Sequence, residues 1–105
     1  MSDDYVWTSP RKVSQVEGTS RTWAVDFRGY TSVAVSSVTV YLEGEDVTAT
    51  NMPTGDHAVN GTIITLKPLS ALKGKETYIV RVLATCDGDI DGRQFEVYCK
   101  KAGER

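Results

Sequence analysis

An acidic run at residues 87–92, reading DGDIDG, is the part of this sequence whose residue types and spacing come nearest to a chemical site. It matches the first half of a D-x-D-x-D-G calcium-binding loop, in which alternate side chains supply oxygen ligands. A complete loop has a bidentate glutamate at its twelfth position, where this sequence has Tyr98, and it lies between helices. Asp87, Asp89 and Asp91 could still hold a hard cation weakly and are the candidate ligands. A hairpin turn that uses Asp and Gly for their backbone angles explains these residues more simply, so we predict no metal site and no cofactor.

The other reactive side chains do not form a recognisable catalytic set. His57 is the single histidine, and its loop is rich in Pro, Gly and Asp, which favours a solvated side chain. Cys86 has an aspartate beside it and no adjacent cation that would activate the thiol, so a nucleophilic role is disfavoured. Because the sequence shows no nucleophile, base and orienting group together, we predict that the protein is not an enzyme.

Length and charge restrict the classes of partner. The 105 residues suffice for one domain, and 12 Lys+Arg against 14 Asp+Glu give a net charge of −2, which does not favour a nucleic-acid partner. No apolar run approaches the roughly 18 residues that cross a bilayer, so we expect no membrane partner. The acidic, polar start MSDDYVWTSP is unlike a secretory signal, and we expect the protein to be made in the cytoplasm.

The longest patterned stretch, residues 72–99, predicts two antiparallel strands joined by the acidic turn. Apolar residues alternate with polar ones along each strand, which gives each strand one inward face. A turn centred near Ile90 would pair Val82 with Val97. In that register Cys86 and Cys99 lie about 20 Å apart, at about 3.3 Å per residue, which is too far for a disulfide. We therefore expect two free thiols.

The alternation of apolar residues changes its parity within residues 31–42, at Ser36 and Ser37. Such a change indicates either a β-bulge or a short turn between two strands. We favour a corner near Ser36, with the main strand at 38–43. The other predicted elements are strands at 11–16 and 20–27, the start of a strand at 47–52, a hairpin at Asn60-Gly61 and one helical turn at 69–72.

Strands and turns at intervals of about 8–12 residues are typical of an all-β sandwich, here of about seven strands. We predict a sandwich domain at 11–101, a flexible or edge-strand segment at 1–10 and a tail at 102–105. Tyr78 follows Leu72 by six residues, which is typical of a corner at which a tyrosine closes the core. The residues predicted to share one core are Trp23, Phe27, Val38, Val40, Leu66, Leu72, Tyr78, Val80, Val82, Phe95 and Val97.

Four segments carry a resemblance to a known group of proteins: TWAVDF, SSVTVYLEGEDVT, TIITLKPLSALKGKETYIVRVLATCDG and FEVYCK. Their layout resembles small Ig-like structural proteins of tailed bacteriophages and prophages, and the Leu72 to Val82 pattern is also similar to fibronectin type III modules. The resemblance implies an Ig-like or fibronectin type III-like antiparallel β-sandwich with no catalytic residue. Cys86 departs from the pattern, because a small polar residue is expected there.

Two hypotheses about function remain open. The first is a structural or protein-interaction module of a virion, which contacts head, connector or tail components or assembles with itself and becomes part of the phage particle. The second is a ligand-binding module for carbohydrate or Ca²⁺ that uses the loops at one end of the sandwich. The candidate partner-contact residues are Tyr5, Trp7 and Tyr98.

Overall fold

Two long strands form the centre of the fold, and burial alternates along the whole of one and along the last six residues of the other. A computed structural model describes the backbone of Tyr5–Val6 and residues 12–103. In chain order the elements are β1 (Tyr5–Val6), β2 (Lys12–Val16), β3 (Ala24–Asp26), β4 (Val33–Leu42), β5 (Glu45–Asp46), α1 (Thr48–Asn51), β6 (Ala58–Asn60), β7 (Ile63–Thr65), β8 (Thr77–Cys86) and β9 (Asp89–Lys100). They form a five-stranded sheet in the order β2-β9-β8-β4-β5 and a four-stranded sheet in the order β1-β3-β7-β6. The predicted all-β sandwich is confirmed.

The turn between β8 and β9 lies at Asp87-Gly88, two residues earlier than predicted. Both residues have positive φ, 51° and 94°, as a two-residue turn that matches the twist of a hairpin requires. Val82 therefore lies opposite Arg93, not Val97. The pairing register of the two strands thus differs from the predicted one by four residues. Because four is an even number, every side chain stays on its predicted face even though its cross-strand neighbour changes.

The two cysteines are free, as expected, and both are buried. In the observed register Cys86 lies opposite Asp89, whereas the Cys99 N–H donates to the carbonyl of Glu76. The thiols are therefore ten residues apart along β8, about 33 Å at about 3.3 Å per residue, which is even farther than the predicted register implied.

The change of parity in β4 is a β-bulge between Val35 and Ser37, so the predicted corner near Ser36 is wrong. The extra residue restores the inward parity, because Val35 lies opposite Ala84 and Val38 lies opposite Val82. One continuous strand of ten residues can then pair with β8 along its whole length.

Two strand pairs depart from the predicted antiparallel arrangement. β2 runs parallel to β9, and β1 runs parallel to β3. The strand order places β1 at one edge of the four-stranded sheet. β6 and β7 form the predicted hairpin, in which Asn60 pairs with Ile63 and Gly61 has a φ of 65°.

The strand predicted to start at 47–52 is wrong, because the chain forms the helical turn α1 there. Asp46 Oδ1 accepts hydrogen bonds from Thr48 N at 3.0 Å and Thr48 Oγ1 at 2.6 Å, which bends the backbone after β5. This four-residue helix is too short to cross a membrane, and no other described segment forms a helix that could. The helical turn predicted at 69–72 is also wrong, since Leu69 pairs with Arg21 in an isolated bridge.

The core lies between the two sheets. Tyr78 is buried, and its hydroxyl accepts a hydrogen bond from Lys73 N at 2.9 Å, which fixes the crossing between the sheets. Val38 is half-buried and packs against the core. The other predicted core residues are each at most 5% exposed: Trp23, Phe27, Val40, Leu66, Leu72, Tyr78, Val80, Val82, Phe95 and Val97.

Candidate functional site on the outer face of the five-stranded sheet

The acidic turn holds two loops together. The carboxylate of Asp87 accepts hydrogen bonds from Thr31 N at 3.0 Å and Ser32 N at 2.7 Å, and Asp87 N donates to Ser32 O at 2.9 Å. These bonds fasten the β3–β4 loop to the β8–β9 hairpin. The turn aspartate therefore joins two parts of the chain that are 55 residues apart in the sequence.

Asp91 belongs to a second network on the same hairpin. Tyr30 Oη and Arg93 Nη1 each donate to Asp91 Oδ2 at 2.7 Å. The Tyr30 bond is the main reason that the pKa of Asp91 is lowered, and it raises the pKa of Tyr30. Asp89 is exposed, and the described residues contain no cluster of three acidic, histidine or cysteine side chains arranged to hold a metal ion.

His57 is half-buried, in contrast to the expected solvated side chain. Its Nδ1 accepts a hydrogen bond from Lys67 N at 3.1 Å, and burial lowers its pKa. Burial also raises the pKa of the Cys86 thiol, which opposes formation of a thiolate. The surroundings of His57 and Cys86 are therefore those of side chains that pack within the fold.

Apolar side chains occupy the face of the five-stranded sheet that points away from the core, which we call the outer face. Along β8, buried residues alternate with Ile79, Arg81 and Leu83, which point outward. Tyr41 pairs with Ile79 from β4, and Tyr98 points outward from β9. These apolar residues are half-buried, and they lie on the side of this sheet away from the four-stranded sheet, the other sheet that the described residues form.

Near the centre of the outer face, a leucine side chain packs on a glycine of the neighbouring strand. Glycine at position 92 lies opposite Leu83, and a Cβ atom there would come within 3.0 Å of Leu83 Cδ2. The leucine side chain therefore lies over the Gly92 backbone. Charged residues lie on this face as well. Arg81 is exposed on β8 between Ile79 and Leu83, and nearer the β2 edge Lys12 Nζ is 3.9 Å from Glu96 Oε2.

The predicted partner-contact residues lie in two places. Tyr98 belongs to the outer face. Tyr5 lies in β1 at the edge of the opposite sheet, and Trp7 lies outside the described residues.

Sequence reasoning missed the outward-facing Ile79 and Leu83. The signal was present, because residues 78–84 read YIVRVLA and are apolar at both parities except for Arg81. A strand with one solvated face reads instead as a clean alternation of apolar and polar residues. The near-continuous apolar run therefore indicates that both faces of β8 make contacts.

Comparisons with known proteins bear on the fold. No protein-family model matches the chain, and no curated protein does either. Among solved structures, the M1 domain from titin matches with a TM-score of 0.55 and 14% sequence identity, covering 91% of this chain and 90% of that chain. This similarity shows that the chain has an Ig-like β-sandwich fold.

Proposed function

We propose that this protein is a non-enzymatic protein-interaction module that binds its partner through the outer face of the five-stranded sheet. The observation that carries the proposal is a set of four half-buried apolar or aromatic side chains on that face, of which Tyr41 and Ile79 are direct neighbours: Tyr41, Ile79, Leu83 and Tyr98. Outward-facing aromatic and aliphatic side chains interspersed with arginine are typical of a protein contact. The buried thiols and the half-buried histidine support a role without catalysis.

We further propose that the module is made in the cytoplasm and becomes part of a tailed-phage particle, at its head, connector or tail. The support for this step is the resemblance of four segments to small Ig-like virion proteins. An Ig-like sandwich suits such a role because it offers faces and edges for contact without needing a prebuilt pocket.

The alternative of a Ca²⁺-binding loop has less support. Asp87 and Asp91 already accept hydrogen bonds from groups of the β3–β4 loop and from Arg93. A cation would have to displace these bonds before it could use both carboxylates. No observation on the described loops favours a carbohydrate.

Retention of the protein in particles tests the proposal. The variant Ile79→Lys places a charge at the centre of the outer face, and Ile63→Lys places the same charge at a half-buried position facing outward from the opposite sheet. Losing the burial of an isoleucine side chain costs about 1.5–3 kcal/mol, which corresponds to a roughly 10- to 100-fold weaker contact. Quantitative mass spectrometry of purified particles from a producing strain gives the readout.

We expect the unchanged protein and Ile63→Lys to remain with the particles, whereas Ile79→Lys is depleted at least tenfold. Melting curves of both variants confirm that each one is folded. If Ile79→Lys stays in the particles as well as the unchanged protein, the outer face is not the contact. If the unchanged protein never occurs in particles, the virion assignment is wrong.

A further inference from the structure

We propose that the outer face binds the outer face of a second copy of this chain, with a two-fold axis running along β8. This inference rests on the proposed function, because it names the partner of the same face. The dimer is isologous, so each contact that one copy makes is repeated by the other.

One row of residues crosses all five strands and is complementary to itself. The strand registers place Lys12, Glu96, Ile79, Tyr41 and Asp46 side by side from β2 to β5. The row has an apolar residue on the central strand, a cation at one end and an anion at the other. It therefore has the charge pattern of a surface that pairs with its own copy.

A two-fold axis along β8 brings opposite charges together. It places β2 of one copy over β5 of the other and β9 over β4. Ile79 then meets the partner's Ile79 at the axis, Lys12 lies over the partner's Asp46, and Tyr41 lies over the partner's Glu96. The tyrosine hydroxyl can donate a hydrogen bond to that carboxylate.

Arg81, one row along β8 from Ile79, lies close to the same axis. The two guanidinium groups would repel one another if they met directly. An arginine side chain near the axis can bend to either side of it, which moves the two guanidinium groups apart. A long arginine side chain can then extend diagonally to the partner's Glu96, where the charge is opposite.

Both the area and the sheet edges favour this face. The strands of this face, β2, β9, β8, β4 and β5, have 5, 12, 10, 10 and 2 residues. At about 3.3 Å per residue and about 4.8 Å per strand they give the face roughly 600 Å² per partner, at the lower end of the roughly 1,200–2,000 Å² in total that specific interfaces bury. By contrast, edge-to-edge pairing of two copies through β5 is opposed, because this strand has only two residues and both are acidic.

Sedimentation equilibrium of the purified full chain tests the pairing through exchanged charges. Lys12→Asp would place two aspartates opposite each other at each end of the row, and Asp46→Lys would place two lysines there. We expect each variant alone to dimerise at least tenfold more weakly than the unchanged protein. An equimolar mixture of the two variants should dimerise again, because the heterodimer restores an opposite-charge contact at both ends.

A second pair of variants covers the possibility that Asp46→Lys weakens the fold by removing the hydrogen bonds to Thr48. Ile79→Lys should abolish dimers, since it places two ammonium groups at the axis. Ile63→Lys, the matched change on the opposite sheet, should leave the dimer intact.

Two results would overturn the inference: a chain that stays monomeric at about millimolar concentration, or a dimer that Ile79→Lys leaves unchanged. If both charge variants fold, a mixture that remains as weak as the separate variants would also overturn the proposed axis. A monomeric chain that Ile79→Lys removes from particles would refute the second copy as partner while leaving the proposed function standing. A dimer that is lost in Ile79→Lys without any effect on particles would support the second copy and refute the virion role.

Discussion

Gln15 is a buried polar residue whose replacement should measure how strongly the two sheets are held together. It lies in β2 of the five-stranded sheet and is 3% exposed. Its Oε1 accepts a hydrogen bond from Trp23 Nε1 at 3.0 Å, and its Nε2 donates to Leu69 O at 2.7 Å and Thr19 O at 3.3 Å. Gln15→Leu keeps a similar volume and removes all three bonds.

The size of the effect follows from what each former partner retains. Trp23 is 2% exposed, so its indole N–H would lose this buried partner, which costs about 1–3 kcal/mol. Leu69 O keeps its bond from Arg21 N at 3.0 Å, so its loss is closer to about 1 kcal/mol. Burial of the leucine side chain offsets part of this, and we expect Gln15→Leu to lower the free energy of unfolding by about 1–3 kcal/mol.

Urea denaturation followed by far-UV circular dichroism measures this difference. Gln94→Leu is the matched control, because Gln94 is exposed and surface changes usually fall within about 0.5 kcal/mol. If Gln15→Leu were as stable as this control, the hydrogen bonds between the sheets would contribute nothing and the reasoning would be wrong.

Gln15→Glu adds a test through pH. A carboxylate can accept from Trp23 but cannot donate to two carbonyls, so we expect burial to raise the pKa of the new side chain. A raised pKa in the folded state means that stability is present at low pH and is lost as the pH rises through that pKa. The deficit relative to the unchanged protein should therefore be smaller at about pH 4.5 than at about pH 7.5.

Three further predictions concern stability. The pKa of His57 is lowered in the folded chain, so as the pH falls below the ordinary value of 6.5 the unfolded chain takes up the proton first and the free energy of unfolding should fall. Urea denaturation at several pH values should show a weaker dependence of this free energy on pH in His57→Gln. Asp87→Ala should lower the free energy of unfolding by about 1–2 kcal/mol because it removes the bonds to the β3–β4 loop, while Asp89→Ala, at an exposed position, should change it little. The melting temperature of the unchanged protein should be the same in millimolar Ca²⁺ and in chelator. A rise of several degrees in Ca²⁺ that Asp89→Asn abolishes would contradict this. Val82→Ala, at a fully buried position, should cost about 1–3 kcal/mol in urea titrations, and a change below about 0.5 kcal/mol would argue against its place in the core.

The alternation of apolar and polar residues along β8 and β9 was sufficient to predict the sandwich. Residues that face the core, such as Val80 and Val97, are apolar, and this gives each strand a period of two. The predicted turn was wrong because Asp and Gly occur at several positions of residues 87–92, and composition alone does not choose among them. For β4, the sequence left two alternatives open, a β-bulge and a short turn between two strands. A change of parity shows that one residue is extra, whereas pairing with β8 decides whether the strand continues.

The candidate site divides in the same way. Tyr98 was predicted from the sequence as a contact residue, but the row that joins Lys12 to Asp46 depends on the order of five strands. Two of the four neighbouring pairs in that order, β2–β9 and β8–β4, are not consecutive in the chain. The contacts of Asp87 could not be predicted from the sequence either, because the N–H group of Ser32 that donates to its carboxylate lies 55 residues away in the chain. The sequence by itself determined which residues face inward, because burial of apolar surface acts on each strand locally. Only the tertiary structure decided which outward residues lie side by side, because sheet order and register depend on pairing between distant parts of the chain.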